Sequence, residues 1–204
     1  MYCPRHFAVD DIAVLHDVIR ARAFATLAAV VDGAVRFAYA PVVLDAGGLG
    51  VLRFHLARAN PLAALPQGAR LRVSFLAADA YVSPDWYETE GMVPTWNYIA
   101  VEGEGCVTRL AGDELRALLA ELSAQEEARL LPKVPWLVDK VPAAKMATLL
   151  GAIVGYAMPL ESLEGKFKLS QNVGPQDFAG VLGGLERRGD AASAAVARAM
   201  RTAR

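Results

Sequence analysis

The chain has 204 residues, with apolar types making up 54% and charged types 21%. That is material for one domain with a sizeable core, or one domain plus a helical appendage, and it excludes a disordered chain. With 21 Lys+Arg against 22 Asp+Glu, the net charge of −1 excludes a protein that coats nucleic acid over its whole surface.

Only Cys3 and Cys106 are present, too few for a disulfide framework or a Cys-rich zinc site. No apolar run reaches the ~20 residues of a membrane span, and the N-terminus has no apolar signal core, so the chain reads as soluble and cytoplasmic.

Asp10 and Asp11 precede an apolar stripe (Ile12, Leu15, Val18, Ile19), which predicts a helix over 10–22. Residues 24–31 and 35–44 are apolar segments flanking Asp32-Gly33, a two-residue hairpin signal. A third strand is expected over 49–55, a short helical turn from Asn60-Pro61 to Leu65, and a fourth strand over 70–77. A fifth extended segment covers 96–110 and a helix covers 112–129. After a connection punctuated by Pro132, Pro135 and Pro142, a short helix runs to Leu150 and a late strand covers 152–160. From Pro175 the chain is expected to be helical, broken near Gly183-Gly184 and at Gly189. Strands joined by hairpins, with helices at the ends, indicate an α+β fold: an antiparallel barrel with flanking helices over 1–175 and a helical tail over 176–204. A doubly wound parallel sheet is excluded, because the Asp32-Gly33 hairpin leaves no room for a crossover helix.

Four polar segments exceed what a plain barrel needs. In His55-Leu56-Ala57-Arg58-Ala59-Asn60-Pro61, Arg58 and a helix start suit an anion, while the simpler reading makes Asn60 a cap with Pro61 at the first helical position. Residues 81–98 hold five aromatics interleaved with Ser, Thr and Asn, suited either to the wall of a flat conjugated ligand or to a dimer seam. Glu164-Gly165-Lys166-Phe167-Lys168-Leu169-Ser170-Gln171-Asn172 puts two lysines on one side of an extended stretch, suited to a phosphate or to solvent. The tail carries Arg187, Arg188, Arg198, Arg201 and Arg204. DNA contact there competes with a solvated or dimer-packing helix, and the lack of a groove-reading motif favours the helix. No nucleophile motif and no paired-His metal spacing accompanies His6, His16 or His55, so any chemistry would fall to a bound cofactor.

At these segments the sequence resembles the PaiB family, described as FMN-binding-type negative transcriptional regulators. The matching blocks are Met1-Tyr2 with Pro4 and Phe7, the 55–61 segment, Tyr81-Val82-Ser83-Pro84 with Trp86-Tyr87, Val93-Pro94-Thr95-Trp96-Asn97-Tyr98, Ile153-Val154-Gly155 and the 164–172 segment. The resemblance implies a split β-barrel, a homodimer with FMN at the subunit seam, and repression of degradative-enzyme and sporulation genes. It implies His55, Arg58 and Asn60 near the flavin phosphate, Thr95, Trp96 and Asn97 along the ring or seam, and Lys168 and Gln171 reaching across. Two departures stand out: Tyr39 lies where the family has histidine, and Glu102 and Glu104 lie in a run where it has Val-His-Val-Tyr-Gly. Added negative charge disfavours a flavin phosphate, which keeps a flavin-free binding module open beside a flavin-dependent oxidoreductase on a small or haem-like substrate.

Overall fold

The structure is a computed structural model, which describes residues 1–203. Eight strands and five α-helices form it: β1 (Ala8–Val9), α1 (Ile12–Arg22), β2 (Phe24–Val31), β3 (Ala34–Asp45), β4 (Val51–Ala57), β5 (Arg70–Val82), β6 (Thr95–Cys106), β7 (Thr108–Arg109), α2 (Gly112–Ala128), α3 (Ala143–Gly151), β8 (Ile153–Lys168), α4 (Pro175–Arg188) and α5 (Ala191–Thr202). The sheet runs β1-β8-β4-β3-β2-β5-β6, and a further β8–β6 pairing closes six strands into a ring. Every pairing with an assigned register is antiparallel. This is the split-barrel α+β architecture that the hairpin pattern predicts.

Local chemistry sets several boundaries. Helix α1 begins at Ile12 rather than Asp10, because Asp11 Oδ1 accepts from the backbone N–H groups of Ala13 (2.9 Å) and Val14 (3.3 Å) and serves as the cap. Asp32 and Gly33 both adopt positive φ (51° and 73°), the turn that matches the twist of a two-residue hairpin and sets Val31 opposite Ala34. Two strands outrun their expected ends. β5 continues past Ala77 through Ala78 and Ala80, small residues that carry no alternation signal, to Val82, and β8 continues through polar residues to Lys168, paired with β1 at Gly165 and Lys166.

Helix α4 corrects another expectation, since it passes unbroken through Gly183-Gly184. A Cβ at Gly184 would come within 2.2 Å of the Trp86 ring, and one at Gly180 within 2.0 Å of the Trp86 carbonyl oxygen. Glycines four apart therefore let the helix lie directly on Trp86, and that packing outweighs their low helix propensity. The break falls at Gly189, whose φ of 69° ends the helix in a left-handed cap.

The chain divides into two compact units: residues 1–18, 75–102 and 164–204 form one, and residues 19–74 and 103–163 the other. The first is centred on Val82, Leu169, Val181, Leu185, Val196 and Met200, all buried. In the second, Phe54 and Tyr156 stack at 5.6 Å inside the barrel, and Val43 packs against Leu115, Leu118 and Leu122 of α2.

Candidate functional site

On β4, Leu52, Phe54 and Leu56 point into the barrel, so His55 faces outward by strand alternation. An outward histidine is normally wet, but here α2 covers it. His55 pairs in register with Gly155 of β8, where an added Cβ would meet Leu115 Cδ1 at 2.8 Å, so the glycine lets α2 approach the sheet closely. The result is a mainly apolar cavity of about 360 Å³ bounded by Pro41, His55, Leu119, Leu122, Trp136 and Met146, with Ser123 and Glu126 also in its lining. Burial pushes the His55 pKa below its ordinary value, so the imidazole is neutral at pH 7. Its Nδ1 is buried and has no hydrogen-bond partner. Leaving such an atom unpaired costs about 1–3 kcal/mol, an expense that a ligand atom reaching it would remove.

Arg58 lies at the end of the same strand. Its Nε donates to the Gly151 carbonyl (2.8 Å) and its Nη2 to that of Ile153 (3.0 Å), stitching β4 to the C-terminal end of α3. Its Nη1 remains open to an anion. Asn60 Oδ1 accepts from the Leu62 N–H at 2.9 Å and caps the short 3-10 turn Pro61–Ala64.

The other predicted residues lie in the other unit. Asn97 is fully buried, its Nδ2 donating to Ser170 Oγ (2.9 Å) and to Met200 Sδ (3.6 Å). Gln171 folds the turn that follows β8, accepting from the Leu169 N–H (2.7 Å) and donating to the Phe167 carbonyl (2.6 Å). Lys168 Nζ donates to Thr95 Oγ1, and burial, then the nearby Lys166, lowers its pKa. Lys166 Nζ sits 5.3 Å from the Tyr98 ring centre and 5.5 Å from that of Tyr2. Neither lysine has an ion-pair partner among the described residues. Trp96 is 52% exposed and meets Tyr81 edge-on at 6.1 Å. Two cations without carboxylates beside exposed rings can take a phosphate and stack on a planar group.

The carboxylates at the departures are internally matched. The Met1 amino group, which donates to Glu164 at 2.6 Å, also lies 3.7 Å from Glu102, and Glu104 accepts from both Arg70 and Arg72, which holds its pKa below the ordinary range. Tyr39 is exposed and stacks on Phe24 at 6.5 Å.

The sequence reading missed the α2 and 136–141 residues that roof His55. Apolar spacing marks Leu115, Leu118 and Leu122 as buried, but nothing local says that Val43 of β3 and the Ile153–Gly155 start of β8 are what they bury against.

An antiparallel ring of strands with flanking helices is the split-barrel fold. Comparison places the chain within it. Residues 1–162 match the family described as "Putative FMN-binding domain", and the chain belongs to that family. It is 28% identical to "Protease synthase and sporulation protein PAI 2" of Bacillus subtilis over 91% of this chain and 89% of that one, so the PaiB-like resemblance holds. It is 29% identical to an uncharacterized protein of Emericella nidulans over 98% of this chain and 96% of that one. Among solved structures it shares its fold with the FAD and heme binding protein from Mycobacterium smegmatis (TM-score 0.61, 20% identity, covering 84% of this chain and 78% of that one). The flavocytochrome Anf3 from Azotobacter vinelandii is similar too (TM-score 0.58, 15% identity, covering 87% and 78%). Membership makes FMN the cofactor of this domain type. No helix among the described residues is long and apolar enough to cross a membrane.

Proposed function

We propose that this protein is a homodimeric FMN-binding regulator of the PaiB type, holding the flavin ring in the His55 cavity. The observation that carries this reading is the unpartnered His55 Nδ1 in a mainly apolar cavity whose other polar lining residues are Ser123 and Glu126. Such a pocket fits a flat ring with one hydrogen-bonding edge atom. Leu119, Leu122 and Trp136 exclude water from the ring, and His55, neutral at pH 7, orients it without adding charge. Arg58 Nη1 is the cation this reading assigns to the phosphate. When bound, FMN would supply hydride acceptance and donation.

Dimerisation is supported by an exposed apolar face on the hairpin. Val35, Phe37 and Tyr39 alternate along β3, and Phe24 and Val30 lie beside them on β2, all more than half exposed. Direct DNA binding draws little support from the tail, where Arg201 pairs with Glu186 and Arg188 with Asp190. Repression would then depend on flavin state or on a protein partner. A second reading, flavin-dependent oxidoreductase, is favoured by the solved relatives of the same fold, described as binding FAD and heme or as a flavocytochrome.

The test is a titration with FMN followed by flavin fluorescence. Saturation near one FMN per chain, weakened about tenfold or more by His55→Phe, is expected. Absence of binding at micromolar FMN would overturn the reading. NADH oxidation by the flavin-loaded protein would favour the oxidoreductase.

A further inference from the structure

Residues 130–142 link α2 to α3 as a proline-punctuated stretch that leaves Leu130, Leu131, Val134 and Leu137 exposed. Its Trp136, Val138 and Val141 form one wall of the His55 cavity. Trp136 and Val138 also border a second hollow of about 430 Å³, floored by Ala120, Ala124 and Ala128 of α2. The stretch is therefore a thin wall with open volume on both sides, and core packing alone does not hold it in place. What ties it down is Glu127 in the last turn of α2, a carboxylate only 18% exposed. It accepts from the Trp136 N–H at 2.7 Å and pairs with Lys133 Nζ, so one side chain grips the stretch at two points. Lys133 is also the first cause of the lowered Glu127 pKa, consistent with a charged latch at neutral pH. The only other ion pair to this stretch among the described residues, Arg116 with Asp139, is long (3.7 Å) and exposed.

We propose that Glu127 is a positioning residue for the ring-binding cavity: by fixing the Trp136 backbone it holds residues 130–142 as the wall that grips a flat aromatic ring beside His55. The choice of ligand rests on the flavin reading above, but the latch does not. Trp136 supplies the face on which such a ring stacks, and Glu127 sets the depth of the slot.

The full chain labelled with 5-fluorotryptophan gives three fluorine resonances, and the one missing in Trp136→Phe reports on the wall. Without ligand, Glu127→Ala is expected to broaden or shift that resonance while those of Trp86 and Trp96 stay in place. Trypsin cleavage after Lys133 is expected to accelerate as well. Glu127→Gln keeps an acceptor for the Trp136 N–H and should restore most of the wild-type resonance. With FMN, Glu127→Ala should weaken binding about fivefold to tenfold. Lys133→Ala, which leaves the Glu127–Trp136 bond intact, should weaken it no more than about twofold. An unmoved Trp136 resonance in Glu127→Ala would overturn the latch, as would equal FMN affinity in Glu127→Ala and wild type. If the wild-type chain takes no FMN, the flavin reading falls, and the fluorine and trypsin measurements still decide the latch.

Discussion

Asn97 and His55 are two polar side chains that the sequence marks for the same cofactor, and the fold treats them in opposite ways. Asn97 is wholly buried, and its amide is satisfied by Ser170 and Met200. His55 is half-buried with Nδ1 unpaired above an apolar cavity. A satisfied buried amide stabilises the fold, whereas an unsatisfied ring nitrogen lowers stability until something binds it. Stability measurements should therefore single out the first and binding measurements the second.

The largest expected effect follows from breaking the satisfied side. Asn97→Leu leaves the Ser170 hydroxyl without its buried partner and should cost about 2–3 kcal/mol in urea unfolding. In contrast, His55→Phe removes an unpaired nitrogen and should leave stability unchanged or slightly raised, while FMN affinity falls about tenfold. If His55→Phe destabilises as much as Asn97→Leu, the contrast fails.

Acid should sharpen the difference. The folded His55 pKa lies below the unfolded value of about 6.5, so the unfolded chain takes up its proton first. The stability tied to neutral His55 is whole above pH 6.5, declines as pH falls below that value, and levels off beneath the folded pKa. In His55→Phe this segment of the stability–pH curve should flatten, whereas Asn97→Leu should keep it.

The smallest effect concerns the phosphate end. Arg58→Gln removes the cation assigned to the phosphate and should weaken FMN binding by roughly fivefold at low salt and less at high salt. A salt-independent loss, or none, would separate Arg58 from the phosphate.

Much of the fold was legible along the chain, because its signals are local. Asp32-Gly33 dictates its own turn, and Asn60-Pro61 its own cap. The unbroken α4 was not legible, since two glycines read as a break until Trp86 lies against them. Nor were the ends of β5 and β8, where alanines and alternating charges are held extended by partner strands. Of the predicted site residues, sequence chemistry identified polar side chains worth attention. It did not distinguish those spent inside the fold, such as Asn97, Gln171 and Asn60, from those left with open valence, such as His55 and Lys168.

By itself, then, the sequence determined the antiparallel barrel class, the hairpin, the Asn60 cap and the family, all of which rest on neighbouring residues or on blocks in fixed order. Only the tertiary structure decided that Gly155 would bring α2 down over His55, that Trp136 would wall the resulting cavity, and that Glu127 would hold it there. Those outcomes depend on contacts between segments tens of residues apart, where closeness is set by packing volume and hydrogen-bond satisfaction rather than by spacing along the chain.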